Sequence, residues 1–254
     1  MEWRTQFIWI MTRVNKSFSI VSAPVVEKEF PLPIKAVMID LDGTLLDTAA
    51  DLAAAANSML RELGKNEQPL ETIQSYIGKG IQKLVTRSLT GSLDGEPDAK
   101  LLERAMPIYE REYAKTLCVH TRPYPGVLEG LNALREAGFL LACVTNKAGA
   151  FTLPLLRATG LTEYFGVIIS GDSLPKKKPD PMPLLHACSH FGILPSEMLL
   201  IGDSLNDTEA ARAAGCHVFC VPYGYNEGRD VHQLDCDAVV LSVYDATKLI
   251  RKLS

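Results

Sequence analysis

The sequence predicts an α/β fold, with a Rossmann-like parallel sheet core and an inserted small all-helical cap domain. Short apolar runs alternate with helical patterns after Pro123, which is typical of a parallel sheet covered by helices on both faces. Residues 49–120 carry only helical periodicity, and one apolar run, Ala36–Ile39, precedes them. We therefore expect a core of residues 34–48 and 121–254, with residues 49–120 as a cap inserted after its first strand.

The first 33 residues show no sustained period. They contain one short apolar run, Phe7–Met11, and end in Pro31-Leu-Pro33, which favours extended chain. The run is too short for the core of a signal peptide. We expect residues 1–33 to form a poorly ordered N-terminal extension. An added helix that packs on the core is the alternative.

Composition and charge exclude several classes of protein. The 254 residues are 47% hydrophobic, which suffices for a sizeable core. The formal net charge of −4 argues against a nucleic-acid partner, and no apolar run approaches the ~18 residues that span a membrane. The six cysteines include no CxxC pair, so we expect structural thiols in the reducing cytoplasm. We expect a monomer or a homodimer.

Each element has its own apolar pattern. In the cap, helices are predicted after Asp47-Thr48 as far as Gly64, before Tyr76, from Ile81, and over residues 98–117. The predicted core strands after the cap are Phe139–Val144, Val167–Ser170, Met198–Ile201, His217–Val221 and Ala238–Leu241, and the closing helix is Tyr244–Leu253.

Two aspartates, Asp40 and Asp42, follow the first apolar run with one residue between them. Because side chains alternate along a strand, both carboxylates can emerge on the same side of its end. Crowded carboxylates repel unless a cation lies between them, and oxygen ligands suit Mg²⁺. The pair therefore indicates a metal-assisted phosphoryl-transfer site. An ordinary strand that ends in an Asp-Gly turn is the alternative.

Three further segments place polar residues at predicted strand ends or helix starts. They are Thr145-Asn146, Lys176–Asp180 and Gly202–Asp207. The carboxyl ends of parallel strands share one edge of the sheet, so these segments can meet Asp40 and Asp42. Together they offer a carboxylate nucleophile, an acid/base group, a cation for phosphoryl oxygens and donors that orient a phosphate.

The ordered set DxDGT, strand-TN, K-P and GDxxxD resembles the haloacid dehalogenase superfamily of phosphohydrolases over residues 35–250. The resemblance implies that Asp40 is the nucleophile and Asp42 the general acid/base. It also implies that Asp40, Asp203 and the backbone carbonyl of Asp42 hold Mg²⁺. Asp42 argues against the dehalogenase branch, which lacks an acid/base aspartate at that position.

The same resemblance assigns the remaining polar residues of the motifs. Thr145 and Asn146 are expected to hold the phosphate of a small phosphate ester. Lys178, directly before Pro179, is expected to neutralise the nucleophile and the phosphoryl group. Asp207 is expected to support the metal or Lys178.

Within the superfamily, the chain is most similar to phosphoglycolate phosphatases, in the segments Tyr76–Gly80, Lys177–Pro181 and Tyr223–Asn226. The similarity implies Mg²⁺-dependent hydrolysis of a small phosphomonoester, with 2-phosphoglycolate as the first expectation. The alternatives are a phosphomutase of the β-phosphoglucomutase type and a phosphatase for a sugar phosphate, a nucleotide or pyrophosphate. A binding protein on an inactive phosphatase scaffold is a further alternative.

The cap contributes one candidate for substrate recognition. Lys79 lies between Gly78 and Gly80, which allow close approach of the backbone, and it could meet an anionic group such as the glycolate carboxylate. A lysine that faces solvent at the start of a helix is the alternative. Arg87 is a weaker candidate.

Overall fold

The computed structural model describes residues 29–253, together with the backbone of residues 9–14 and 17–22. Its strands are β1 (Trp9–Val14), β2 (Ser17–Ser22), β3 (Leu32–Ile34), β4 (Ala36–Ile39), β5 (Leu46–Asp47), β6 (Arg122–Pro123), β7 (Leu140–Val144), β8 (Val167–Ile169), β9 (Met198–Gly202), β10 (His217–Cys220), β11 (Ala238–Val239) and β12 (Ile250–Lys252). Its helices are α1 (Ala49–Glu62), α2 (Leu70–Gln74), α3 (Ile81–Thr90), α4 (Ala99–Thr116), α5 (Val127–Glu136), α6 (Gly149–Ala158), α7 (Met182–Phe191), α8 (Leu205–Ala214) and α9 (Val243–Thr247). In this described part of the chain, no helix combines the length and apolar character needed to cross a bilayer.

Six parallel strands form the central sheet, in the order β11-β10-β9-β4-β7-β8. Strand β4 is buried along its whole length, and its side chains alternate between the two faces. Val37 and Ile39 pack with α5, α6 and α9 on one face, whereas Ala36 and Met38 pack with α7 and α8 on the other. A parallel sheet covered on both faces confirms the predicted α/β class.

The three central strands bring the predicted site residues to one edge. Strand β4 is hydrogen-bonded to β9 on one side and to β7 on the other. Asp40 follows β4, Thr145 follows β7 and Asp203 follows β9. The chain leaves β4 toward β7 and later returns to pair β9 on the opposite side. Such a reversal of strand order opens a crevice at the carboxyl ends of the strands, where ligands bind in α/β sheets.

Helices α1 to α4 occupy the segment between β5 and β6 and share an apolar cluster that also includes Phe151 and Tyr225 of the core. The alanine-rich face of α1 lies against the tyrosines of α4, Tyr109 and Tyr113, which are both fully buried. Full burial of a large apolar side chain contributes about 1.5–3 kcal/mol each, so this cluster can hold the four helices together. The division of the chain at residues 33, 48 and 120 stays a prediction.

A short joint connects these helices to the sheet. Strands β5 and β6 pair antiparallel where the chain leaves and re-enters the core. Asp51, in the first turn of α1, is fully buried and accepts the N–H groups of His120 and Thr121 at 2.9 Å each. These bonds tie the first turn of α1 to the chain that follows α4.

Two predictions near the chain ends have different outcomes. The predicted closing helix over Tyr244–Leu253 is wrong, because the helix covers only Val243–Thr247 and β12 follows it. Strand β12 pairs parallel with β3, and Ile250 is buried whereas Arg251 and Lys252 are exposed. The partner strand lies more than 200 residues away, so a local pattern could not reveal it.

Within the predicted extension, β1 and β2 pair antiparallel, and its other residues before Glu29 lie outside the described residues.

Candidate functional site

Asp40 lies at the middle of the sheet edge and is 8% exposed. Its backbone N–H donates to the carbonyl of Ile201 at 3.0 Å, which extends the β4–β9 ladder by one residue. Its Oδ1 accepts the N–H of Leu41 at 2.8 Å and lies 2.9 Å from Nζ of Lys178. Burial raises the pKa of Asp40 to about 6, against the opposing attraction of Lys178. The site thus contains a buried carboxylate in a fixed orientation.

Lys178 is the cation next to that carboxylate, and it is also buried. Its Nζ lies 2.7 Å from Oδ1 of Asp207 as well as 2.9 Å from Asp40. Burial lowers the pKa of Lys178, but attraction by Asp207 and Asp40 outweighs burial, and the pKa is raised. Oδ2 of Asp207 accepts the N–H and the hydroxyl of Ser204 at 3.1 and 2.8 Å. Asp207 therefore holds Lys178 against Asp40.

Asp203 faces the same edge from β9 and is 2% exposed. Its Oδ1 accepts the hydroxyl of Thr44 at 3.3 Å, and its Oδ2 accepts the N–H of Tyr225. A Cβ at Gly43 would lie 2.3 Å from Oδ2 of Asp203, and Gly43 has a φ of +86°, so only glycine fits there. Burial, and then the nearby Asp207 and Asp40, raise the pKa of Asp203 well above its usual value.

Asp40, Asp203 and Asp207 offer carboxylate oxygens that lie within 4.8 Å of one another. Three such groups repel, and Lys178 compensates only part of their charge. Oδ1 of Asp207 contacts Lys178 and its Oδ2 accepts hydrogen bonds from Ser204, which suits the predicted supporting role of Asp207; the choice of Asp40 and Asp203 as ligands stays a prediction. Because every donor is an oxygen, a hard cation such as Mg²⁺ fits this set.

Asp42 has a separate set of partners. Its Oδ1 accepts the hydroxyl of Thr48 at 2.8 Å and lies 3.0 Å from Nζ of Lys147, which is 3.2 Å from Oδ2. The side chain of Lys147 is 2% exposed, and its Nζ also lies 4.7 Å from the centre of the Tyr113 ring. The two aspartates of the DxD pair are thus each matched by a different buried lysine.

Thr145 and Asn146 are both buried after β7. The Asn146 amide donates to the carbonyls of Gly78 at 3.0 Å and Lys178 at 2.9 Å, so it links the cap to the core. Its Oδ1 is buried and has no hydrogen-bond partner among the described residues. The side-chain amide of Asn146 is thus engaged by two carbonyls, and the predicted contact of Asn146 with the phosphate stays a prediction.

Lys79 and Arg87 converge on Glu227 of the loop after β10. Oε1 of Glu227 lies 3.1 Å from Nζ of Lys79 and 2.6 Å from Nη2 of Arg87. Burial raises the pKa of Glu227, but hydrogen bonds from Arg87 and Lys79 outweigh burial and hold it below its usual value. Lys79 is 41% exposed and lines a cavity other than the one beside Asp42. Its predicted contact with the substrate therefore stays a prediction.

A small chamber of about 30 Å³ lies between the core and the cap. Since one water needs about 10–15 Å³, the chamber has room for only two waters or so. Its core wall consists of Asp40, Asp42, Thr145, Asn146 and Lys147. Its cap wall consists of Leu52, Ile77, Gly78, Gly80, Ile81, Leu84 and Tyr109. One wall is thus polar and charged, and the other is almost entirely apolar.

Two chamber residues had no predicted role. Lys147 directly follows the Thr145-Asn146 pair, and its place after a strand end was the one available signal. Tyr109 lies in the helical stripe that also predicts the cap interior, and its hydroxyl is buried without a hydrogen-bond partner in the described chain. Helical periodicity shows that such a residue faces inward, but it cannot distinguish the cap interior from the chamber.

Similarity to known proteins fits this arrangement. The model of the family described as haloacid dehalogenase-like hydrolase matches residues 37–221. The chain belongs to the haloacid dehalogenase-like hydrolases. This hydrolase is 78% identical over 225 residues to the phosphoglycolate phosphatase of Nitrosospira multiformis, which covers 89% of this chain and 99% of that protein. It is 60% identical over 225 residues to the phosphoglycolate phosphatase of Thiobacillus denitrificans. That alignment also covers 89% of this chain and 99% of the relative.

A solved structure shares the fold over most of this hydrolase. The crystal structure of a predicted phosphoglycolate phosphatase from Haemophilus somnus superposes with a TM-score of 0.80 at 34% sequence identity. The similarity covers 85% of this chain and 97% of that one. The predicted membership of the superfamily is thereby confirmed.

Proposed function

We propose that this hydrolase is a Mg²⁺-dependent phosphatase that converts 2-phosphoglycolate to glycolate and phosphate through an aspartyl-phosphate. The observation that carries the proposal is a chamber in which Asp40 is paired with Lys178 and Asp42 with Lys147. The names of the relatives at high identity support the same substrate.

Asp40 is the proposed nucleophile. Its carboxylate attacks the phosphorus, the ester oxygen leaves with the electrons of the broken P–O bond, and an aspartyl-phosphate forms. Lys178 lies 2.9 Å from Asp40, where it can neutralise charge on the nucleophile and the phosphoryl oxygens. Because Asp207 fixes Lys178, this cation needs no reorganisation during the reaction.

Asp42 is the proposed acid and base. It donates a proton to the departing glycolate oxygen, and its carboxylate then removes a proton from the water that hydrolyses the aspartyl-phosphate. Its contacts with Thr48 and Lys147 hold it at the chamber wall. Thr145 and the backbone N–H of Asn146 are the proposed donors that orient the phosphate.

The metal is the proposed partner of the acidic cluster. Asp40 and Asp203, with the carbonyl of Asp42, would hold Mg²⁺, and Asp207 would support them through Lys178. When bound, Mg²⁺ offsets negative charge on the phosphoryl group. The fit rests on the all-oxygen donor set and on the crowding of the three carboxylates.

The shape of the chamber favours a small leaving group over a sugar or a nucleoside. A hexose needs several polar partners for its hydroxyls, whereas the cap wall offers only one polar side chain among the described residues. This contrast sets hydrolysis of 2-phosphoglycolate ahead of the phosphomutase and the nucleotide or sugar phosphatase alternatives. We place the enzyme in the cytoplasm, where its thiols stay reduced.

Release of inorganic phosphate from a panel of phosphomonoesters tests the proposal. The panel contains 2-phosphoglycolate, glucose 6-phosphate, a nucleoside monophosphate, pyrophosphate and β-glucose 1-phosphate. We expect the highest kcat/KM for 2-phosphoglycolate, and Asp40→Asn should abolish the activity while Asp235→Asn, at an exposed position, should retain it. Isomerised glucose phosphate without net phosphate release would instead identify a phosphomutase.

A further inference from the structure

Two polar groups of the chamber are not used by the proposed chemistry. They are the ammonium of Lys147, on the core wall, and the hydroxyl of Tyr109, on the cap wall. Both side chains are almost fully buried. A buried group of this kind needs a partner, and the contents of the chamber are the nearest available source of one.

Lys147 is held from two directions. Its Nζ contacts both carboxylate oxygens of Asp42, at 3.0 and 3.2 Å, and it lies over the ring of Tyr113 at 4.7 Å. An ammonium has three N–H donors, so with one N–H shared by the two oxygens of Asp42 and a second facing the Tyr113 ring, the third can meet a further acceptor. The lysine is therefore a positioned cation beside the acid/base group, on the side of the chamber where the leaving group departs.

Tyr109 is fully buried, and its hydroxyl has no hydrogen-bond partner among the described residues. A buried hydroxyl without a partner costs about 1–3 kcal/mol, so the folded cap carries a cost that a bound ligand can remove. Its neighbour Tyr113 has the same unpartnered hydroxyl, but Tyr113 does not line the chamber. Of the two, only Tyr109 can meet a ligand there.

We propose that Lys147 and Tyr109 together bind the carboxylate of the leaving group. The inference rests on the proposed phosphatase function and deepens it. The remaining side chains of the cap wall are apolar, so they accept a short hydrocarbon but offer nothing to hydroxyls. The chamber thus selects a phosphomonoester whose alcohol is one carbon long and carries one compact anion.

This assignment differs from a role for Lys79 or Arg87. Both of those cations already share Glu227, and neither lines the chamber. The two assignments therefore make opposite predictions for substitutions of Lys79 and Lys147.

The test compares 2-phosphoglycolate with the phosphate ester of glycolamide, which has the same shape but a neutral amide. The ratio of the two kcat/KM values isolates recognition of the carboxylate, since loss of Asp42 positioning would lower both values. We expect the wild-type enzyme to prefer 2-phosphoglycolate by at least about 100-fold, because the neutral amide forms no charged contact with Lys147 beyond the one that Asp42 already makes. Lys147→Met should bring the ratio to within a few fold of one.

Tyr109→Phe is the second variant, and it removes no hydrogen bond among the residues that the structure describes. It should lower the ratio by roughly 10-fold without lowering the melting temperature. Tyr113→Phe is its matched control, with an equally buried hydroxyl outside the chamber, and should leave the ratio unchanged. Lys79→Met should also leave it unchanged.

Three results would overturn the inference. A wild-type enzyme with equal kcat/KM for both esters has no carboxylate site, although it remains a phosphatase. A ratio that falls in Lys79→Met but not in Lys147→Met or Tyr109→Phe places the site at Lys79. An enzyme that hydrolyses neither ester refutes this inference together with the proposed function.

Discussion

The two walls of the chamber are built on different principles. The core wall carries two aspartates and a lysine, Lys147, which lie just after strand ends. Asp42 is paired with Lys147, and Asp40 is paired with a second buried lysine, Lys178. The cap wall carries aliphatic side chains, two glycines and one tyrosine hydroxyl without a partner in the described chain. Charge is thus fixed by the sheet, whereas shape is set by the helices.

This difference separates chemistry from selection. Charges that stabilise a transition state must be in place before the reaction, and strand ends provide that rigidity. An apolar wall can change its volume without disturbing those charges. Substitutions of Asp40 and Asp42 in the core wall should therefore act on rate and stability together, and those in the cap wall should act on the choice of substrate. Lys147 is the core-wall residue for which we expect an effect on both the rate and the choice of substrate.

The largest effect is expected for Lys178→Met. Loss of this cation leaves Asp40 and Asp207 buried and unpaired, which should destabilise the fold by about 3–5 kcal/mol. It should also lower kcat/KM by about 10³-fold, because the phosphoryl charge loses its counter-charge. Urea unfolding and phosphate release measure the two effects. Lys176→Met, at an exposed lysine in the same run, is the control, and equal behaviour of the two variants would contradict the assignment.

The pH dependence of stability tests the desolvation of Asp40. Burial raises its pKa from 3.8 to about 6, so the ionised form costs the folded protein stability. The contribution of protonated Asp40 to the free energy of unfolding is complete below pH 3.8 and is lost as the pH rises through 6. In metal-free protein, Asp40→Asn should therefore gain stability over the wild type as the pH rises from 4 to 7, by about 3 kcal/mol. Urea unfolding across this pH range measures the difference in stability between the variant and the wild type. If that difference does not change with pH, burial does not raise the pKa of Asp40.

Added Mg²⁺ should stabilise the folded protein through the acidic cluster. At a concentration of 100 Kd, a cation that binds only the folded state adds about 2.7 kcal/mol. Thermal unfolding with MgCl₂, or with KCl at the same ionic strength, measures this contribution. Asp203→Asn should lose most of it, and Asp235→Asn should keep it. Equal stabilisation of both variants would place the cation elsewhere.

The smallest effect is expected for Ile81→Ala in the cap wall. The change enlarges the chamber by an isoleucine side chain, and Ile81 is only partly buried, so the loss of stability should be modest. We expect the kcat/KM of a larger ester such as phospholactate to rise about 10-fold relative to 2-phosphoglycolate. Leu128→Ala, at an exposed leucine of α5, is the control and should change neither value. A lowered kcat for both esters would show that the cap also shapes the chemistry.

The core wall was largely accessible from the sequence. Asp40 and Thr145 of this wall, and Asp203 outside it, each follow an apolar run, and parallel strands bring their carboxyl ends together by geometry alone. The Lys178–Asp207 pair could be anticipated only through the family resemblance, because a loop and a helix start have no fixed relation to the sheet. The 2.7 Å contact between Lys178 and Asp207 forms only in the folded chain, and spacing in the sequence does not predict it.

The cap wall could not be predicted in the same way. Periodicity identified Tyr109 as inward-facing, but the angle between the cap and the sheet decides which inward residues reach the chamber. The ion pair that Lys79 forms with Glu227 depends on a loop more than 140 residues away. The closing helix was mispredicted for the same reason, since its C-terminal half pairs as β12 with the distant strand β3. The local apolar pattern there also fits a helix.

The Gly78–Lys79 segment ties the cap to the core beside the chamber. Its two carbonyls accept hydrogen bonds from three core side chains, namely Asn146, Asn206 and Lys177. If each bond contributes about 1 kcal/mol, roughly one molecule in a hundred has all three broken at any moment. Because a chamber of about 30 Å³ is small for an ester, we expect substrate to enter when this segment opens, which would lower the apparent affinity for substrate by the same factor. Turnover then depends on how often the cap releases this segment.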